Sequence, residues 1–259
     1  LSLNHKNKEL LVVLAQYAQL GAAIAQEEQD YNAGTWFAKK SIQLASKLGD
    51  NTLLAGGLMS MGDSSYRKKD YSNARKYIDE ALSLKLPAPI LGAVSLDAAR
   101  IYSASGGEGS VKLLETATSI ARKVTSWDSY TIQADLGFCH IRGATVFLNR
   151  GDVKSAQEQI EIADGIVSNK FMRRRAIIQS RQADILIRQA QYHDALFHAE
   201  NALTLAKDLG DNENLMKGHI LHLSNQLSAS SFGPSRDVKM FSNRVNLFIG
   251  DRNIKPDPS

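Results

Sequence analysis

With 259 residues and 43% hydrophobic content the chain can bury a continuous core, which excludes a disordered protein. Only five prolines, three of them at or after Pro234, stand against a background of Ala, Leu, Gln, Lys and Glu, so helix is predicted nearly throughout. The net charge of +4, from 31 basic and 27 acidic residues, is too small to imply nucleic acid by itself, and the single Cys139 excludes an internal disulfide, so a cytoplasmic setting fits.

The first predicted helix carries the apolar runs Leu10 to Ala15 and Ala22 to Ala25. Lys6 and Lys8 ahead of them mimic a secretory signal. Gln16, Gln19 and Gln26 nonetheless recur on one side of the helical wheel, as in an amphipathic helix. No apolar run approaches the ~18 residues of a membrane span, so no membrane association is expected. The chain opens on Leu1 without an initiator Met, and a segment upstream of residue 1 is expected. The polar turn Gln29-Asp30-Tyr31 leads into a second helix whose small residues Gly34, Ala38, Ser41 and Ala45 share one face, closed by Leu48-Gly49-Asp50.

The same offsets return along the chain. Tyr71, Ala74, Ile78 and Ala81 follow the turn Lys69-Asp70-Tyr71; Ser110, Leu114, Ala117 and Ala121 follow Gly106-Gly107; Val153, Ala156, Ile160 and Ala163 follow Gly151-Asp152. Tyr192, Ala195, Ala199, Ala202 and Ala206, closed by Leu209-Gly210-Asp211, then repeat the first copy 161 residues later. The equivalent residues Ser41, Ala81, Ala117, Ala163 and Ala202 are spaced by 40, 36, 46 and 39, a period that means stacked helical hairpins. Each copy is preceded by another apolar-periodic helix with a small residue near its middle: Gly21-Ala22, Gly62, Ala98, Gly143-Ala144 and Ala183. After the fifth copy, Leu215 to Leu227 reads as one more first-type helix. Asp237 to Ile249, with Val238, Met240, Phe241, Val245, Leu247 and Phe248, reads as a capping helix.

The pattern of small residue, aromatic, polar turn, Asp-Tyr-x-x-Ala and a later Ala resembles the tetratricopeptide repeat. Its long period and Ala-x-x-Leu-Gly-Asp endings are similar to the long-helix variant of sensory and regulatory proteins. The early Trp of the consensus is missing from every first helix, and only the second repeat has a Pro near its end, Pro87. The resemblance implies an all-α, right-handed superhelical solenoid of five to six hairpins with a C-terminal capping helix. The expected division is one domain over residues 1–249. Its repeats fall at 8–50, 51–88, 90–125, 130–169 and 172–211, with a degenerate capping repeat at 212–249 and a tail over 250–259.

Catalytic chemistry finds little support. Gly106-Gly107-Glu108-Gly109-Ser110 lacks the Gly-Lys-Ser/Thr succession of a phosphate loop and reads as an inter-helix turn. His219 and His222 share a helix face but have no third ligand nearby in sequence, so no metal and no other cofactor is expected. Cys139 and His140 are helical neighbours that point apart, and Cys139 reads as a small core residue.

In tetratricopeptide stacks the first helices line a concave binding face. Carried onto this chain, the resemblance implies a site of Gln19, Asp63, Tyr66, Arg67, Tyr102, Arg142, Asn149, Arg181, Asp184 and Arg188. Aromatics would lie toward one end of one concavity and guanidinium groups toward the other. Arg binds carboxylate bidentately and Asn pairs with peptide amides, so a protein or peptide with an acidic group is the expected partner, and the chain reads as a binding module and not an enzyme. The positions used by chaperone-tail clamps carry Gln19, Met59 and Ser95, which disfavours that partner. The basic cluster Arg173, Arg174 and Arg175 opens a helix against its dipole, a small cost unless an anion or acidic neighbour compensates, and reads first as a solvated surface, with an acidic partner or nucleic acid as the alternatives. Nucleic acid is disfavoured because no aromatics interleave with it. A sensory half of a regulator, an assembly scaffold, a nucleic-acid-binding solenoid and an enzyme with an unrecognised site stay open at this level, as does oligomeric state.

Overall fold

The computed structural model describes residues 5–124, 134–210 and 214–250. The start of the 130–169 repeat, Asp211 and the tail beyond Gly250 lie outside the described residues. Among the described residues twelve helices form: α1 (His5–Glu27), α2 (Tyr31–Leu48), α3 (Asn51–Arg67), α4 (Tyr71–Ser83), α5 (Ala88–Ala104), α6 (Ser110–Ala121), α7 (Leu136–Asn149), α8 (Val153–Ile166), α9 (Met172–Arg188), α10 (Tyr192–Asp208), α11 (Asn214–Ala229) and α12 (Arg236–Ile249). No strand occurs among the described residues, so the all-α reading holds.

Local rules set the turns inside the hairpins. Gln29, Lys69, Gly106, Gly151 and Ala190 all have φ between 58° and 76°, the left-handed conformation that ends a helix. The N–H that follows each one reaches back to a carbonyl of the preceding helix: Asp30 to Ala25 (2.8 Å), Asp70 to Ser65 (2.9 Å), Gly107 to Tyr102 (2.8 Å), Asp152 to Phe147 (3.0 Å) and Gln191 to Leu186 (2.9 Å). In three hairpins the same residue starts the second helix, because the Asp30, Asp70 and Asp152 carboxylates accept the backbone N–H groups of Ala33, Asn73 and Ser155. Second helices therefore begin at Tyr31, Tyr71, Ser110, Val153 and Tyr192, where the repeat places them.

The chain divides into two compact units, residues 1–139 and 140–259, with the division inside α7. In the first unit each helix from α1 to α6 packs on the next, and the first-type helices also touch, α1 on α3 and α3 on α5. In the second, α8 through α12 pack in succession, with α9 on α11 and α10 on α12. Close approach depends on the repeated small residues: Ser41, Ala81, Ala117, Ala163 and Ala202 are all fully buried, as are Ala22, Ala98, Ala144 and Ala183. Gly56 is needed for the same reason, since a Cβ there would stand 2.6 Å from the Gln19 amide nitrogen.

On α12, Val238, Phe241, Val245 and Ile249 face the core of the second unit. Met240 and Leu247, which the sequence pattern assigned to the same helix's apolar set, are exposed; the buried stripe at i, i+3, i+7 and i+11 is already complete without them. No helix among the described residues is long and apolar enough to cross a membrane.

Candidate functional site

The residues expected to line a concave face divide into buried and accessible groups. Gln19, expected to face an open groove, is buried, and so is Gln26 further along the same helix. The Gln19 amide donates to the Ser41 hydroxyl (3.1 Å) and the Leu53 carbonyl (2.9 Å); that of Gln26 donates to the Ser60 carbonyl and the Ser64 hydroxyl, both at 2.8 Å. These bonds tie α1 to its neighbours, because a buried amide stays only where its polar atoms are matched.

In the first unit Asp63 is the hub. Its carboxylate accepts from Arg67 Nε at 2.7 Å and Arg100 Nη2 at 2.6 Å, and Arg100 also lies 3.5 Å from Asp97. The Arg100 guanidinium stacks 4.3 Å from the centroid of the buried Tyr66 ring. Burial pushes the Asp63 carboxyl up, but the charges of Arg67 and Arg100 outweigh it and hold the group well below its ordinary 3.8. Two carboxylates and two guanidinium groups balance here and engage Tyr66 and Arg67, although Arg100 Nε is buried without a hydrogen-bond partner. Arg100 was missed in the sequence, although it stands six residues before the left-handed Gly106 just as Asp63 stands six before Lys69. Tyr102 turns elsewhere: its hydroxyl donates to Asp79 of α4 at 2.5 Å, and Arg75 covers its ring at 4.3 Å. It is not brought together with Tyr66.

In the second unit Asp184 and Arg188 repeat the Asp63 and Arg67 positions, with Arg188 Nε donating to Asp184 Oδ1 at 3.2 Å. Gln226 of α11 takes the role of Arg100 and donates to the same oxygen at 3.3 Å. Arg188 also donates to the Leu148 carbonyl of α7 at 2.9 Å. Asp184 is 1% exposed and Arg181 4% exposed, so neither presents an open surface. Arg142 and Asn149 are half-buried on α7. Arg173, Arg174 and Arg175 do open α9, and Arg175 bridges to Asp164 of α8 at 2.7 Å, an acidic neighbour that offsets the unfavourable dipole. Arg174 covers the exposed Phe171 ring at 5.3 Å.

A surface that the sequence pattern did not single out lies on α1. Leu10, Val13, Leu14, Tyr17, Leu20 and Ile24 are 44–65% exposed and follow one stripe of the helix, on a different side from Ala15, Ala18, Ala22 and Ala25, which are buried. No charged residue occurs from Leu10 through Gln26. Trp36 is also exposed and stands edge-on to Phe37, whose ring abuts Gly21 of α1. The alternating spacing of Leu10, Val13, Tyr17, Leu20 and Ile24 was legible; that none of the described residues covers it was not.

Nucleophilic and metal chemistry have no assembled group among the described residues. Burial pushes the Cys139 thiol up to about 12, and its Sγ donates to the Ala134 carbonyl at 3.6 Å. His140 pairs through Nδ1 with Gln159 at 2.8 Å. Among the described residues no three His, Cys, Asp or Glu side chains gather where a metal ion would sit. The glycine turn before α6 holds Gly106 and Gly109 at φ of 69° and 85° and serves the helix ends.

These features define an all-α helical-repeat protein. The chain resembles the crystal structure of BtubC (BKLC) from P. vanneervenii, with a TM-score of 0.57 and 15% identity over 92% of this chain and 96% of that one, a likeness of fold alone. No protein-family model matches the chain, and no curated protein does.

Proposed function

We propose that the chain is a protein-binding module of tetratricopeptide type, in which right-handed stacking of hairpins serves to display helix faces, and that its partner contributes an amphipathic helix to α1. The observation carrying this reading is the uncharged, exposed stripe from Leu10 to Ile24. Large apolar side chains gathered on one helix face mark an interaction surface, whereas singly scattered ones do not. The stripe spans about 21 Å at 1.5 Å per residue, and its three- and four-residue spacing matches the seam that a second helix packs into. Lys8 and Glu9 before the stripe and Glu27 and Glu28 after it supply a charged rim, the usual surround of an apolar contact. Recognition through the expected concave set is a weaker reading, because Gln19, Tyr66, Arg181 and Asp184 are enclosed and Arg67 and Arg188 are each held by an aspartate of their own helix. Nucleic acid is the weaker reading, since Arg175 of the basic cluster is engaged by Asp164.

A labelled synthetic amphipathic helix, about three heptads long with leucine at the seam positions, tests the proposal by fluorescence anisotropy. Wild-type protein is expected to bind it, and Tyr17→Glu with Leu20→Glu to weaken binding at least tenfold at unchanged helical content. Equal binding by the double variant, or none by wild type, would reject α1 as the docking surface.

A further inference from the structure

The networks around Asp63 and Asp184 occupy equivalent repeat positions but do not close alike. Around Asp63, two carboxylates face two guanidinium groups and each guanidinium holds an ion pair, although Arg100 Nε is buried without a hydrogen-bond partner there too. Around Asp184, Arg188 and Arg181 share one helix face with a single carboxylate, and the residue bridging from α11 is the neutral Gln226. Arg181 is 4% exposed, yet its Nε has no hydrogen-bond partner and no ion pair is formed by its guanidinium among the described residues. One turn along the helix, Asp184 Oδ2 is also buried without a donor, while Oδ1 takes both Arg188 and Gln226. A guanidinium nitrogen and a carboxylate oxygen buried without partners are each unfavourable, and such groups call for an explanation, of which a ligand that completes them is one.

We infer that this α9 face in the second unit binds a carboxylate that carries a neighbouring N–H, as in a free α-amino acid or the C-terminal residue of a peptide, with Arg181 holding the carboxylate and Asp184 Oδ2 accepting the N–H. The surplus positive charge selects an anion. The adjacent Asp184 disfavours a phosphate, whose two negative charges it would repel, and favours a monoanion that brings its own donor. Arg181 and Asp184 lie three residues apart, about 4.5 Å along the helix axis, a span suited to a carboxylate and the nitrogen next to it. Arg188 is the exposed member of the group and covers Asp184, so the ligand enters as its side chain swings outward from Asp184 Oδ1 and the Leu148 carbonyl. Recognition of this kind is separate from the α1 stripe and stands or falls without it.

The test uses the full chain, with L-alanine, trialanine and trialanine amide as probes at ~10 mM, ten times the dissociation constant of a ~1 mM site. Chemical-shift changes are followed in NMR spectra. The acid forms are expected to perturb amides of α9 and α11, and trialanine amide to leave them unmoved. A response to both L-alanine and trialanine marks an amino-acid site; a response to trialanine alone marks a peptide-end site. Arg181→Met is expected to weaken acid binding at least tenfold while raising the urea midpoint of the ligand-free protein, because it removes an unmatched buried charge. The anisotropy of the α1 probe helix in the same variant should stay at the wild-type value, which separates failure here from failure of the docking surface. Equal responses to acid and amide, no response to any probe, or a lower urea midpoint in ligand-free Arg181→Met would overturn the inference.

Discussion

Replacing Asp63 with Asn takes away the negative charge that Arg67 and Arg100 share and one of the two oxygens that accept from them. The loss falls mainly on Arg100, whose side chain is 4% exposed and would keep only Asp97, at 3.5 Å, as a counter-charge. Arg67 is 15% exposed and recovers part of its loss in water. Removing one member of a buried pair costs ~3–5 kcal/mol, and the residual contact to Asp97 places this case near ~3 kcal/mol. With a urea dependence of ~1–3 kcal/mol per molar, the unfolding midpoint at neutral pH should fall by about 1–3 M, followed by far-ultraviolet circular dichroism. The sign with pH follows from the depressed Asp63 value: its contribution is complete above the unfolded 3.8 and is lost as pH falls below it toward the folded value. The gap between wild type and Asp63→Asn should therefore be constant from neutral pH down to that point and close below it. Adding Arg100→Met should recover most of the loss, since an apolar side chain of similar length leaves no buried charge unmatched. A neutral-pH cost under ~1 kcal/mol, a gap that persists unchanged in acid, or a double variant no better than the single one would refute this account of the network.

Ala202 is fully buried within the core that also holds Ala199, Leu203, Met216 and Ile220, so Ala202→Leu should overpack it and cost ~1–3 kcal/mol; an unchanged denaturation midpoint would contradict the packing register. Ala190 holds φ of 58° at the turn between α9 and α10, where a Cβ is strained, so Ala190→Gly should raise stability by ~1 kcal/mol in urea unfolding. A loss of stability there would mean that the alanine makes contacts outweighing the strain.

What the sequence by itself determined is the part governed by neighbours along the chain. Helical spacing of Tyr192, Ala195, Ala199, Ala202 and Ala206 needs only the period of the helix to be read, and those five residues lie on one side of α10 with every alanine fully buried. Turns such as Lys69-Asp70-Tyr71 are equally local: a residue that accepts the left-handed conformation, then an aspartate that caps the next helix. The tertiary structure decided which polar residues of the first helices reach water. A first-type helix is touched by its hairpin partner and by the first helices beside it, so its buried arc is wider than an amphipathic pattern suggests. Gln19 disappears because Ser41 and the Leu53 carbonyl match its amide and Gly56 leaves it room; Tyr66 because Arg100 lies over it. The reverse holds for Leu10, Tyr17 and Ile24, whose spacing reads as core and whose exposure follows from what packs against α1 and on which side. Periodicity orders residues around a helix, whereas burial depends on contacts between segments tens of residues apart, and only the folded chain brings those together.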